Sequence, residues 1–335
     1  MTNKLVISPS PHIHGGDSIK KNMYGVLIAL IPAFLVAIWV FGLDALKITA
    51  LSVLFCVGFE YLIVKYIMKK PPTIADGSAI ITGVLLAFNV PSNLPIWILA
   101  LGALFTIGVV KMTFGGLGNN IFNPAIAGRI FLLISFPAQM TTWPVPIQDL
   151  AYVDGTTQAT ILETMRYPET LPAMMDMFLG FHAGSLGEMS AVALLLGLAY
   201  MLWRRIITWH IPISILATVL VFTGVLHLVN LPSEFFANPT FELFMSSAPE
   251  FNPIIHLFSG GLLLGAIFMA TDYTTSPMTK SGMLIYGVMI GFITVCIRLW
   301  GAYPEGISFA ILIMNACTPL INNYTSPKRF GEKGK

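Results

Sequence analysis

Ten apolar runs alternate with short polar connections along this chain, at about residues 23–43, 45–68, 78–90, 94–112, 121–136, 187–203, 211–229, 254–271, 282–301 and 306–321. A membrane-spanning helix needs about 20 apolar residues, so the pattern predicts an all-α polytopic membrane protein with about ten transmembrane helices. The third and fifth runs are short and interrupted by glycine. Short, broken segments in matching places of two halves are the sequence mark of discontinuous helices around a site near the bilayer centre. One stretch of about 137–186 has no spanning run. It splits the set into five plus five, and an odd number of spans per half requires any repeat to be inverted. Within the sequence, Gly77-Ser78 before an apolar run and Gly83 matches Ser259-Gly260-Gly261 before an apolar run and Gly265. Asn123-Pro124 finds an echo in Asn315 and Pro319.

This divides the chain into a polar tail 1–22, a first five-helix half 23–136, a loop 137–186, a second half 187–322 and a basic tail 323–335. Met1 to Lys21 holds no apolar core of a signal peptide. Cationic residues orient the spans. Lys20 and Lys21 precede the first, Lys65, Lys69 and Lys70 close the second, Lys111 the fourth and Arg204 and Arg205 the sixth. Lys328, Arg329, Lys333 and Lys335 follow the last. With a cytoplasmic N-terminus and ten spans, every cluster falls inside. The loops 137–186 and 230–253 then lie outside; the first has a single Arg or Lys, Arg166, and the second has none.

Composition agrees. The 335 residues are 56% hydrophobic and 10% charged, against about 25% charged in soluble domains, and the mean hydropathy is +0.79. A net charge of +2 is too small for a nucleic-acid partner; the partner it implies is the bilayer. Cys56, Cys296 and Cys317 lie in apolar runs without metal-ligand spacing. No nucleotide-phosphate loop or nicotinamide fingerprint is present, so the chain alone is not expected to be a complete enzyme. Most of the six tryptophans lie near span ends, as an interfacial belt requires.

The polar run Asp154-Gly155-Thr156-Thr157-Gln158-Ala159-Thr160 stands out in the outer loop. Hydroxyls flanked by small residues on an accessible loop suit covalent modification; an Asx or Thr turn is the purely local alternative. Gly115, Gly116 and Gly118 permit tight turns, Asn119, Asn120 and Asn123 supply amides, and Pro124 can open a helix. This stretch is either a self-satisfied re-entrant turn or a cradle for a carbonyl-rich ring at a helix start. Arg129 lies in an apolar helix, where charge is paired or functional. Asp76 and Asp272 flank short segments as helix caps or path-lining groups, and Glu60 is a buried pair member, a snorkelling group or an ion ligand.

The 154–160 run resembles the covalent flavin-attachment motif, roughly D-x-x-[S/T]-G-A-T, of two related membrane proteins: the D subunit of Rnf complexes (ion-translocating ferredoxin:NAD⁺ oxidoreductases) and the B subunit of Na⁺-translocating NADH:quinone reductases. Further matches are Ser8-Pro9-Ser10-Pro11-His12, Asp76-Gly77-Ser78-Ala79 with Thr82-Gly83, Lys111 with Gly115-Gly116-Leu117-Gly118-Asn119-Asn120-Ile121-Phe122-Asn123-Pro124-Ala125 and Arg129, and Asp272-Tyr273-Thr274-Thr275-Ser276-Pro277. Gln158 stands where the family has Gly, and Ile161 where Pro is common. The short N-terminus favours the Rnf side. The resemblance implies FMN joined through its phosphate to Thr160, with Thr157 and Thr156 as neighbouring hydroxyls. Asp154, Thr157, Ala159, Asn119, Asn123 and Arg129 are the remaining candidate cofactor contacts, Arg129 as a structural pair or a contact to a second flavin. The resemblance also implies that second, non-covalent flavin (riboflavin or FMN) and a flavin transferase acting at the outer face of the cytoplasmic membrane. The partners it implies include a flavin-bearing G subunit and the membrane-embedded A and E subunits. Electron flow would drive Na⁺ or H⁺ export. A cofactor-free inverted-repeat transporter is the alternative of a different class.

Overall fold

The structure, a computed structural model, describes residues 18–71, 74–146, 157–165, 174–232, 240, 244, 247–303 and 305–327. Among them the ordered elements are helices. Four are long and apolar enough to cross a membrane: α1 (Ile19–Phe41), α2 (Leu43–Leu62, running on as a π-helix Ile63–Ile67), α7 (His210–Asn230) and α10 (Lys280–Trp300). The shorter helices are α3 (Ser78–Phe88), α4 (Ile96–Leu104, continued as a π-helix Phe105–Met112), α5 (Pro124–Ser135) and α6 (Ala191–Trp203). The eighth apolar run is broken at the Ser-Gly-Gly that the sequence matches to Gly77-Ser78: α8 (Pro253–Phe258) and α9 (Leu262–Leu264, continued as a π-helix Gly265–Met269) are separated by Ser259-Gly260-Gly261. The last helix, α11, spans Ile307–Thr325.

Local chemistry sets these boundaries. Ser18, Ser190 and Thr279 cap α1, α6 and α10 by accepting from backbone N–H groups three residues on. Gly42, at φ 64°, turns the chain directly from α1 into α2. Two helices start with the same device. Phe122-Asn123-Pro124 opens α5, the Asn123 side chain accepting from Ala125 N–H at 3.1 Å, and Phe251-Asn252-Pro253 opens α8, Asn252 accepting from Ile254 N–H at 3.0 Å. The Asn–Pro start of α5 thus recurs at Asn252-Pro253, in the eighth apolar run. Asn315 lies in the middle of α11 instead, with its amide against Tyr286 and the Asn123 N–H.

Outward faces are apolar: Leu35, Leu54, Val221 and Val229 are all more than half exposed. Lipid tails are as apolar as leucine, so helices associate here through close packing and polar contacts. Ser52 of α2 donates to the Gly83 carbonyl of α3 at 2.7 Å, and a Cβ on Gly83 would press into the Val53 backbone. Between α10 and α7, Gly287 and Gly291 sit against the Ile211 and Ile215 carbonyls. Five of the six tryptophans are exposed, as a belt requires; the exception is Trp143, at 7%.

Candidate functional site

Two cavities flank α5. The first, of about 80 Å³, is lined by Ser78, Lys111, Asn120, Asn123, Asp272 and Tyr273, with apolar walls from Met201, Ile206 and Phe268. Its charged element is a buried ion pair. Lys111 Nζ lies 2.7 Å from Glu60 Oε2 and also donates to Ser78 Oγ at 2.7 Å, with the lysine and glutamate side chains 2% and 1% exposed. Glu60 thus pairs across helices with Lys111, whereas Lys65 is exposed and donates to the Tyr61 hydroxyl. Ser78 passes the network to Asp76, which accepts from both its hydroxyl and its N–H at 2.9 Å; Asp76 is a cap. Asp272 accepts from the Thr274 and Thr275 hydroxyls. Lys111 and Met269 lie on π-helical turns, and Glu60 lies one turn before another. Such turns are rare and gather at functional sites. The buried Asn120 carbonyl oxygen, in the wall of this cavity, has no partner.

The second cavity, of about 50 Å³, is lined by Arg129, Trp143, Thr160, Glu188, Tyr303 and Glu305, together with Leu133, Met140, Leu162 and Gly260. Arg129 is buried at 4%. Its Nη1 donates to Asn89 Oδ1 at 2.7 Å and to Glu305 Oε1 at 2.8 Å, its Nη2 pairs with Glu305 Oε2, and Glu188 Oε1 lies 4.0 Å from Nη2. A guanidinium inside an apolar helix is costly unless paired; a two-pronged carboxylate contact supplies that pairing. The helix break makes the room. A side chain on Gly261 would collide with the Glu305 carboxylate and crowd Arg129 and Glu188. Behind the break, Arg298 donates to the His256 and Ser259 carbonyls at 2.6 and 2.8 Å, the free carbonyls that α8 leaves at its C-terminal end.

The candidate motif enters this second cavity. Pro144 and Thr157 form an antiparallel bridge, and Gln158 N–H donates to the Trp143 carbonyl at 3.1 Å. Thr157, Gln158 and Ala159 are exposed, and the chain then turns Thr160 inward to line the cavity. Glu163 fixes the turn by accepting from the Thr160 N–H at 3.1 Å. Of the candidate residues, Thr160 and Arg129 therefore share one cavity. Asn123 belongs to the other, donating to the Met269 carbonyl at 3.1 Å. Asn119 is exposed and lines neither; its neighbour Asn120 holds the buried place, because Asn119 is spent in the glycine turn. Asp154 lies outside the described residues, as does Thr156. Glu188, Glu305 and Asn89 escaped the sequence reading. Their signal was weak: two carboxylates at the edges of apolar runs in a chain with few acids.

The residues around Thr160 fit a flavin. Trp143, Tyr303, Leu133, Met140 and Leu162 offer flat and apolar walls, and Arg129 offers N–H donors. Among the described residues no cluster of metal ligands occurs.

Comparison with known proteins gives the lineage. The chain is 44% identical to the D subunit of the Na⁺-translocating ferredoxin:NAD⁺ oxidoreductase complex of Acetobacterium woodii, over 98% of this chain and 95% of that protein. It is 38% identical to the D subunit of the proton-translocating ferredoxin:NAD⁺ oxidoreductase complex of Clostridium ljungdahlii, over 99% and 97%. It is 36% identical to the D subunit of the ion-translocating oxidoreductase complex of Aliivibrio salmonicida, over 98% of each. The family match itself runs over residues 6–331, and this multi-pass membrane protein belongs to the NQR2, RnfD, RnfE family.

Proposed function

We propose that this chain is the D subunit of an ion-translocating ferredoxin:NAD⁺ oxidoreductase complex, and that it carries FMN joined through its phosphate to Thr160. The observation that carries the reading is the shared cavity: the hydroxyl-rich motif leaves Thr157 and Ala159 outside and turns Thr160 in beside Arg129. Names and near full-length similarity of the relatives support the complex. The flavin supplies the redox chemistry. The chain supplies a tether at Thr160, ring walls at Trp143 and Tyr303, and an electrostatic frame at Arg129 and Glu305.

The proposed place for a second, non-covalent flavin is the cavity at Lys111; what supports it is that the orphaned Asn120 oxygen and the Ser78 and Asn123 groups offer polar contacts beside apolar walls. The two cavities are joined through protein groups. Asn123 binds the Met269 carbonyl, the Met269 sulfur lies 3.7 Å from the Asn89 amide, and Asn89 accepts from Arg129. Electron passage between the cavities would be coupled to Na⁺ or H⁺ export; similar relatives are named for each ion.

The glycine turn at Gly77 before α3 and the Ser259-Gly260-Gly261 break before α9, at the third and eighth runs, support an inverted repeat of two five-helix halves in a ten-span layout; cation placement supports both termini in the cytoplasm and the Thr160 loop outside the cytoplasmic membrane. In that orientation a flavin transferase, the flavin-bearing G subunit and the membrane-embedded A and E subunits are the partners. The same family also holds the B subunit of Na⁺-translocating quinone reductases, and a cofactor-free transporter shares the broken-helix layout.

The test is peptide mass spectrometry of protein co-expressed with a flavin transferase, as wild type and Thr160→Val. An FMN-sized adduct on the Thr160 peptide that disappears in the variant is expected. A fully matured wild type without any adduct refutes the assignment and leaves the transporter.

A further inference from the structure

The Arg129 guanidinium is held by its neighbours in a way that leaves one direction open. Both Nη1 hydrogens are used, by Asn89 and Glu305, and Nη2 is engaged by the second Glu305 oxygen. The remaining Nη2 hydrogen has Glu188 at 4.0 Å, beyond hydrogen-bond reach. Both groups line the Thr160 cavity, and both side chains are 5% exposed. A fork contact fixes a guanidinium's plane, so this cation is immobile and its charge is aimed, while Glu188 faces it without a hydrogen bond.

We propose that Arg129 is the positioning residue for the flavin tethered at Thr160, and that Glu188 counters its charge so as to set the flavin's reduction potential. The inference rests on the reading of Thr160 as the attachment site. A reduced flavin carries negative charge at the N1–C2 carbonyl edge of its ring. A fixed cation beside the ring favours that form, and a fixed anion opposes it. The other charged or titratable groups around Glu188 are Glu305 on the α10–α11 connection, Arg298 on α10 and His182 in the loop before α6. Arg298 is held by the His256 and Ser259 carbonyls, and His182 by the Ala183 carbonyl. Glu163 also lines the cavity, but its carboxylate is held by the Thr160 N–H.

Two shifts of opposite sign are expected, which a merely structural role would not produce. Removing the cation (Arg129→Gln) lowers the midpoint potential of the covalent flavin. Removing the anion (Glu188→Gln) raises it, and Arg129→Lys stays near wild type. The experiment is a spectroelectrochemical titration of the full chain, purified from cells that also express the flavin transferase, with Thr160→Val as the spectral background. Loading is checked on every sample by flavin fluorescence in a denaturing gel. Opposite shifts in loaded Arg129→Gln and Glu188→Gln support the proposal. Shifts in the same direction, or no shift, overturn it while leaving the flavin assignment intact. If Arg129→Gln fails to mature, Glu188→Gln decides alone: a potential that does not rise overturns the proposal. A wild type without covalent flavin overturns both the function and this inference.

Discussion

The Glu60–Lys111 pair can be tested as a double-mutant cycle. At 2.7 Å and an effective dielectric of about 20, two unit charges attract by roughly 6 kcal/mol. Taking both from water costs several kcal/mol per ion, so the pair as a whole is near neutral against an apolar replacement. Breaking it is different. Lys111→Met leaves Glu60 at 1% exposure with its cation gone and also strips a donor from Ser78. A loss of about 3–5 kcal/mol is expected. Glu60→Leu strands Lys111 with a similar cost. The double variant Glu60→Leu/Lys111→Met leaves only Ser78 to adjust, and a cost of about 1–2 kcal/mol is expected, in line with a lost hydrogen bond. The assay is equilibrium unfolding in mixed micelles of a mild detergent and dodecyl sulfate, followed by tryptophan fluorescence, with all four proteins at the same lipid content. A double variant much more stable than either single one, with coupling of several kcal/mol, is the expected result. Additive losses would refute the reasoning, because they would mean that each charge is separately solvated.

Other expectations follow from packing, caps and exposure. Gly83→Ala forces a methyl against the Val53 backbone at about the Ser52–Gly83 contact, so a loss of about 1–3 kcal/mol in thermal unfolding is expected. Asn252→Ala removes a side-chain cap from α8, with a cost of about 1 kcal/mol. Asn123→Ala removes the equivalent cap and the bond to Met269, and a loss of about 1–2 kcal/mol is expected. Nitroxide-labelled lipids should quench the exposed Trp39 and Trp203 strongly and spare Trp143, which is 7% exposed; single-tryptophan variants in nanodiscs measure this.

Apolar periodicity marks where helices run, because lipid-facing surfaces need nothing but apolar atoms. It says little about where they break. The run 254–271 counts as one span by its apolar length, yet it breaks at Ser259-Gly260-Gly261, where the missing side chain of Gly261 leaves room for the Glu305 carboxylate, more than 40 residues further along the chain. Thr160 was legible through its motif, and Arg129 through the cost of charge in an apolar helix. That the two share one cavity was not, since no local pattern encodes a contact between a loop and α5. Asn119 and Asn120 show the same limit. Both are amides beside glycines, and only the turn at Gly116 decides which one is buried.

Polar contacts at helix ends also explain why short helices are sufficient here. At 1.5 Å per residue, the 11 residues of α3 and the 12 of α5 reach about 17–18 Å, well short of a hydrocarbon core of about 30 Å. The ends of such helices leave carbonyls and N–H groups that lipid cannot satisfy. In this chain several are met by nearby polar side chains: Asp76 at the Ser78 N–H where α3 begins, Asn89 binding the Leu85 carbonyl where it ends, and Asn123 where α5 begins. The same groups line or back the two cavities. Polar groups at the ends of the short helices thus line the cavities. Lengthening α5 with an apolar turn only moves its free end groups, and it should displace Asn123 from Met269. Such a variant is expected to fold and insert while losing ligand at the Lys111 cavity, measured by flavin retained after gel filtration; unchanged retention would separate the cavity from the helix end.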